Sequence, residues 1–149
     1  MGPKPASSGR GLAWPQKTST PLMHLLLDTS VLIDVLRLRH GRRQLLAELV
    51  RGGHTLSTTA LNVAEVYAGM RPHEAQRTEA FLGSLECHDI TGAAGRVAGK
   101  LKSHWAGKGH TLTVADTIVS AVALELDCIL MTDNRRDFPM PELKHYPLP

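Results

Sequence analysis

The chain has 149 residues, 42% of them hydrophobic and 4% aromatic, with 17 basic and 14 acidic side chains. That suffices for one domain with an aliphatic core, and no apolar run approaches the ~20 residues that a membrane-spanning helix needs. The net charge of +3 resides in the first 22 residues, where Lys4, Arg10 and Lys17 have no acidic neighbour, so bulk charge does not argue for nucleic-acid binding.

Residues 1–22 are rich in Pro, Gly, Ser and Thr, and lack both periodicity and the apolar core of a secretory signal. They read as a disordered or non-native N-terminal extension, with the domain expected over residues 23–149. Leu25–Leu27 is fully apolar, the mark of a buried central strand, and at Asp28-Thr29-Ser30 the pattern changes to helical spacing. Arg42–Arg51 is an amphipathic helix stopped by Gly52-Gly53. His54–Ser57 suits a second strand, Thr58 or Thr59 caps a helix to about Gly69, and Pro72 opens another that ends near Leu85.

Cys87–Ile90 is a third candidate strand, followed by a helix from about Ala93 to Trp105. Thr113 opens the helix with the clearest apolar stripe, Cys128–Met131 is a short buried strand, and Leu143–Tyr146 is an edge strand. Strands alternating with helices predict an α/β fold, a mostly parallel sheet with helices on both faces, whose sites lie beyond the carboxyl ends of the strands. Cys87 and Cys128 lack CxxC spacing, which predicts two buried thiols in a reducing, cytoplasmic setting. The histidines show neither HxxxH nor HxH spacing, so no zinc site is expected from local pattern.

Three carboxylates stand apart. Asp28 is the only charged side chain between Lys17 and Asp34, Glu65 the only one between Arg51 and Arg71, and Asp116 the only one between Lys108 and Glu125. Unpaired carboxylates are costly among apolar residues. Each has an innocent reading: Asp28 as a helix N-cap, Asp116 at the third position of a Thr113-x-x-Asp116 capping box, Glu65 as an exposed helical acid. Together, with Asp133, Asp137 and the amide oxygen of Asn134, they form a donor set suited to a hard cation, Mg²⁺ or Mn²⁺. No phosphate-binding Gly-rich loop or nucleophilic-serine motif is present.

Four segments occur in order: Leu26-Leu-Asp28-Thr-Ser-Val-Leu-Ile, Asn62-Val-Ala-Glu65-Val-Tyr-Ala-Gly69, Thr113-Val-Ala-Asp116-Thr-Ile-Val-Ser-Ala and Thr132-Asp-Asn134-Arg-Arg-Asp137-Phe138. Over Met23 to about Tyr146 the chain resembles the PIN-domain family, specifically the VapC-type toxins of toxin–antitoxin pairs. The resemblance implies a three-layer α/β/α domain that cleaves RNA endonucleolytically with Mg²⁺ or Mn²⁺. It implies that Asp28, Glu65, Asp116 and Asp137 carry catalysis and, with Asn134, hold the metal. Asp133 is held in reserve, and Thr29, Ser30 and Thr132 serve as polar supports. It also implies a cognate antitoxin, pairing as a homodimer, and an RNA substrate with no membrane association.

Two basic stretches, Arg37–Arg43 and Arg96–Lys108, are then expected at the RNA backbone. The alternative is a non-catalytic PIN-like module that binds metal or partner without turnover. A phosphatase of the DxDx[TV] type would need an acid at position 30, where this chain has Ser30.

Overall fold

The computed structural model describes residues 21–149, so nearly all of the expected N-terminal extension lies outside the described residues. Five strands form one parallel sheet: β1 (His24–Leu27), β2 (Thr55–Thr59), β3 (Glu86–His88), β4 (Ile129–Met131) and β5 (Lys144–His145). Their order is β3-β2-β1-β4-β5. The chain winds outward from β1 to one side through β2 and β3, then crosses to the other through β4 and β5. Such a reversal leaves a crevice beyond the carboxyl ends of the two strands where it occurs, here β1 and β4.

Among the described residues, six α-helices cover the sheet: α1 (Thr29–Leu36), α2 (Arg42–Arg51), α3 (Ala60–Ala68), α4 (Ala75–Gly83), α5 (Gly92–Ala106) and α6 (Val114–Glu125). Alternation along β1 divides the core in two, because successive side chains of a strand point to opposite faces. Leu26 joins Val119, Val122, Leu130 and Phe138 on the α5–α6 side. Leu25 and Leu27 pack with Leu32, Leu46, Leu56 and Leu82 on the α1, α2 and α4 side. The three β1 leucines are fully buried, and each contributes roughly 1.5–3 kcal/mol through burial. None of the described helices is long and apolar enough to cross a membrane.

β3 ends at His88 rather than Ile90 and β5 is confined to Lys144–His145, and three further departures from sequence expectation stand out. β2 runs to Thr59 rather than stopping at Ser57, because its hydroxyls find buried acceptors: Ser57 donates to Leu25 O at 2.8 Å and Thr58 to Leu27 O at 2.9 Å. The helix expected from Pro72 begins as a single 3-10 turn, Pro72–Glu74, before α4. Cys87 is exposed, not buried, on the outermost strand at one side of the sheet, whereas Cys128 is buried.

Arg42 is also not where a phosphate contact would need it. Its side chain is 5% exposed, and its Nη2 donates to Asp133 Oδ1 at 2.7 Å. Its Nη1 donates to His40 O and Pro149 O, and Nε lies 3.9 Å from Asp34 Oδ2. Burial and the neighbouring Asp133 raise the carboxyl of Asp34. Against the opposing effect of burial, bonds from Asp34 and Arg42 hold Asp133 low. The α1–α2 loop reaches this arrangement through left-handed backbone at Leu38 and His40, at about 1–2 kcal/mol each.

This guanidinium ties α2, the turn after β4 and the last residue together. Arg42→Met keeps most of the packing volume but strands Asp34 and Asp133. The expected loss is roughly 3 kcal/mol of folding stability, as for other broken buried pairs. It would be read as a lower urea midpoint with unchanged slope, and an unmoved midpoint would show that the pairing adds nothing.

Candidate active site

The site begins where β1 ends. Asp28 N donates to Met131 O at 2.9 Å, so the residue is still paired to β4 as α1 starts. Its backbone takes the N-cap position of α1, yet its carboxylate makes no capping bond to that helix. The N-cap explanation therefore fails for the side chain. Instead Oδ2 accepts from Thr132 at 2.8 Å and Ser30 at 3.3 Å, while Oδ1 faces the Asn62 amide at 3.4 Å. Neutral groups hold the carboxylate in position without neutralising it. Burial raises its pKa above the ordinary 3.8, with the charge of Glu65 adding to the rise against the bonds from Thr132, Thr29 and Ser30.

Asn62 is the residue whose role the sequence did not disclose. It is fully buried in the first turn of α3, where its N–H donates to the capping Thr59 hydroxyl. Its Oδ1 accepts from the same hydroxyl at 2.6 Å, and its Nδ2 reaches both Asp28 and Thr29. Thr29 in turn donates to Glu65 Oε1 at 2.5 Å. One amide thus links β1, α1 and α3. The signal available was a Thr-x-x-Asn pair opening an apolar helix, which by itself reads only as a cap.

Asp116 lies in the first turn of α6, but the capping bond runs from its backbone N–H to Thr113 Oγ1 at 3.0 Å. Its carboxyl is raised by burial first, then by the charges of Asp28, Asp137 and Glu65, against a bond to Thr113. Asp28, Glu65 and Asp137 thus all act electrostatically on Asp116. Asp137 ends an exposed 3-10 turn, Arg135–Asp137, and Asn134 opens it with its backbone N–H on Thr132 Oγ1. Asp133 is directed to Arg42 instead. Arg135 and Arg136 are exposed beside Asp137.

Among the described residues, none of Asp28, Glu65, Asp116 and Asp137 joins an ion pair. Their oxygens do not draw within 4.8 Å of one another in any group of three. Unpaired, hard oxygen donors held apart fit a hydrated divalent ion such as Mg²⁺, which keeps several waters and few direct carboxylates. Two tighter groups do exist among the described residues: Asp34–His40–Asp133, and His24–His88–Cys128. In the first, the Arg42 guanidinium already supplies a cation.

Comparison with known proteins identifies the family. A PIN domain model matches residues 25–141. The chain belongs to the PIN-domain family. It is 32% identical over 120 residues to Ribonuclease VapC19 of Mycobacterium tuberculosis, an overlap covering 80% of this chain and 96% of that protein. Among solved structures, VapBC2 of Rickettsia felis, bound to a DNA fragment from its promoter, superposes with a TM-score of 0.74 at 19% identity, covering 83% of this chain and 98% of the other. A toxin–antitoxin complex from Klebsiella pneumoniae gives 0.66 at 24% identity, covering 80% and 94%. The five-stranded parallel sheet between helical layers is the PIN fold, as the resemblance implied.

The buried acids Asp28 and Asp116 carry an electrostatic cost that stability measurements can read. A carboxyl with a raised native pKa keeps its proton above the pH at which the unfolded chain loses it. Metal-free stability therefore falls as pH rises from 3.8 through the raised native values of Asp28 and Asp116, and stays reduced at neutral pH. Asp116→Asn is expected to raise the thermal midpoint of the metal-free protein and to flatten its decline as pH rises above 3.8. A lower midpoint with unchanged pH dependence would show that the carboxylate is not under strain.

Proposed function

We propose that this PIN domain is a metal-dependent endoribonuclease, the toxin of a toxin–antitoxin pair, and that Asp28, Glu65, Asp116 and Asp137 form its catalytic pocket. The observation that carries this reading is that, among the described residues, none of these four acids joins an ion pair, with Asp28 and Asp116 both raised by burial. Similarity to Ribonuclease VapC19 supports RNA as the substrate class. The non-catalytic alternative has no comparable support, since every principal acid is present.

Asp28, Glu65, Asp116 and Asp137, with Asn134, would hold Mg²⁺ or Mn²⁺. When bound, such an ion acidifies water and offsets charge developing on the phosphoryl oxygens. Asp28, fixed by Thr132, Ser30 and Asn62, is the immobile donor of the set. Glu65 is exposed, with Oε1 taken by Thr29 and Oε2 free to orient an attacking water or accept its proton. Arg135 and Arg136 stand beside Asp137, where exposed guanidinium groups suit the flanking phosphates.

Solved relatives of this fold are toxin–antitoxin complexes, which supports a cognate antitoxin as partner. An acidic pocket would accept a basic side chain from such a protein. A groove of about 950 Å³, lined by Val35, Leu46, Val50, Leu56 and Phe81, offers apolar area for the rest of it. The homodimer and the cytoplasmic setting belong to the same proposal.

The test is cleavage of total RNA with mapping of the cut ends. The expected result is Mg²⁺-dependent cutting that is abolished, by at least about a hundredfold, in Asp28→Asn and Asp116→Asn while both remain folded. Wild-type rates from either variant would refute the assignment. Binding tests the basic surface separately. In a cleavage-dead background, Arg96→Ala and Lys100→Ala, both exposed on α5, should each reduce the slope of log affinity against log salt by about 0.7. An unchanged slope would place the RNA elsewhere.

A further inference from the structure

On one face of the sheet, histidines far apart in sequence come together. His24 opens β1, His88 closes β3, and Cys128 immediately precedes β4. The two Nε2 atoms lie 3.2 Å apart, and they fall with Cys128 Sγ into a group whose ligand atoms are all within 4.8 Å of one another. Tetrahedral zinc with Zn–N bonds of about 2.0–2.1 Å separates two ligand nitrogens by about 3.3–3.4 Å. The observed imidazole pair already has nearly that spacing. Glu86 Oε1 is 3.9 Å from His24 Nε2, within reach of a fourth position.

We propose that His24, His88 and Cys128 form a binding site for Zn²⁺, separate from the acidic pocket and structural in role. Ligand chemistry keeps the two sites distinct: thiolate and imidazole select zinc, whereas carboxylate and amide oxygens select Mg²⁺ or Mn²⁺. Position separates them too, since His24 and Asp28 stand at opposite ends of β1, about 13 Å apart at ~3.3 Å per residue.

Without metal, the two facing Nε2 atoms are joined by a hydrogen bond, one donating and the other accepting. Ser57 Oγ, 3.1 Å from His24 Nε2, is a second acceptor, its own proton going to Leu25 O. That arrangement uses no property of the Cys128 thiol, whose only hydrogen-bond contact among the described residues is a weak one of 3.9 Å to Leu126 O. Burial, with Asp127 and Glu86, pushes this thiol up to about 11, so it is protonated at neutral pH. Burial and His24 hold His88 below 6.5, leaving a neutral imidazole with a lone pair. Binding would release the thiol proton to solvent and move the donor imidazole's proton to Nδ1, turning both nitrogens and the sulfur onto the ion. The bound ion would clamp β1, the short outer strand β3 and the entry to β4.

Cobalt reports such a site directly. Reduced, metal-free full-length protein titrated with Co²⁺ should develop the intense visible bands of tetrahedral cobalt and a near-ultraviolet thiolate-to-cobalt band. One equivalent of Zn²⁺ should bleach both and raise the thermal midpoint. Cys128→Ser should lose the thiolate band while Cys87→Ser keeps it, and Asp116→Asn should bind as the wild type does. His88→Gln, at a half-buried position, should weaken Zn²⁺ binding at least about tenfold and guards against misfolding of the Cys128 variant. Weak octahedral bands alone in the wild type, with no tetrahedral or thiolate band, a thiolate band that follows Cys87, or a thiolate band lost with Asp116→Asn would each overturn the site.

Discussion

Everything at the candidate active site depends on one buried carboxylate held by neutral donors. Asp28 sits at the junction of the two central strands, still bonded through its backbone to β4, and its oxygens face Thr132, Ser30 and Asn62 rather than a cation. Hydrogen bonds of this kind fix a group in place but only partly repay the cost of removing its charge from water. A buried acid that is rigid and uncompensated is prepared for an ion supplied from outside. The nearby acids of Glu65, Asp116 and Asp137 deepen the same negative potential, which is why burial and mutual repulsion act together on Asp28 and Asp116.

The turn after β4 shows how a few successive residues divide structural from chemical work. Thr132 donates to Asp28, Asp133 pairs with the buried Arg42, and Asn134 and Asp137 remain exposed at the crevice. Pairing Asp133 away from the pocket anchors the turn to α2 and to the end of the chain. It also keeps a strong cation out of contact with the acids that would need a metal. The Asp34–His40–Asp133 group looks from ligand spacing like another metal site, but its Arg42 guanidinium performs the ion's electrostatic task.

A parallel sheet has two chemically different ends, and this chain uses both. The carboxyl end collects acids from the starts of α1 and α6 and from α3, through loops that all open on the same side. His24 and Cys128 lie at the amino ends of β1 and β4, and His88, from the carboxyl end of the short β3, meets His24 across β2 on the α5–α6 face of Leu26 and Leu130. Soft and hard donors are thereby kept on the same rigid frame without competing for one ion.

The amino-acid pattern alone determined the order of strands and helices, because an apolar triplet such as Leu25–Leu27 or a stripe such as that of α6 reflects burial set by local period. It also isolated Asp28, Glu65 and Asp116, since a lone acid in an apolar segment is visible without coordinates. What it left open were matters of long-range contact. Capping was compatible with Asp28 and Asp116 until their side chains were located, Arg42 was grouped with the expected RNA-backbone contacts, and Asn62 stood only as the first residue of the Glu65 segment. The histidines gave no ligand spacing along the chain, yet His24 and His88 meet across 64 residues. Sequence period reports which face of an element is buried; only packing of those faces decides which charges are neutralised and which donors converge.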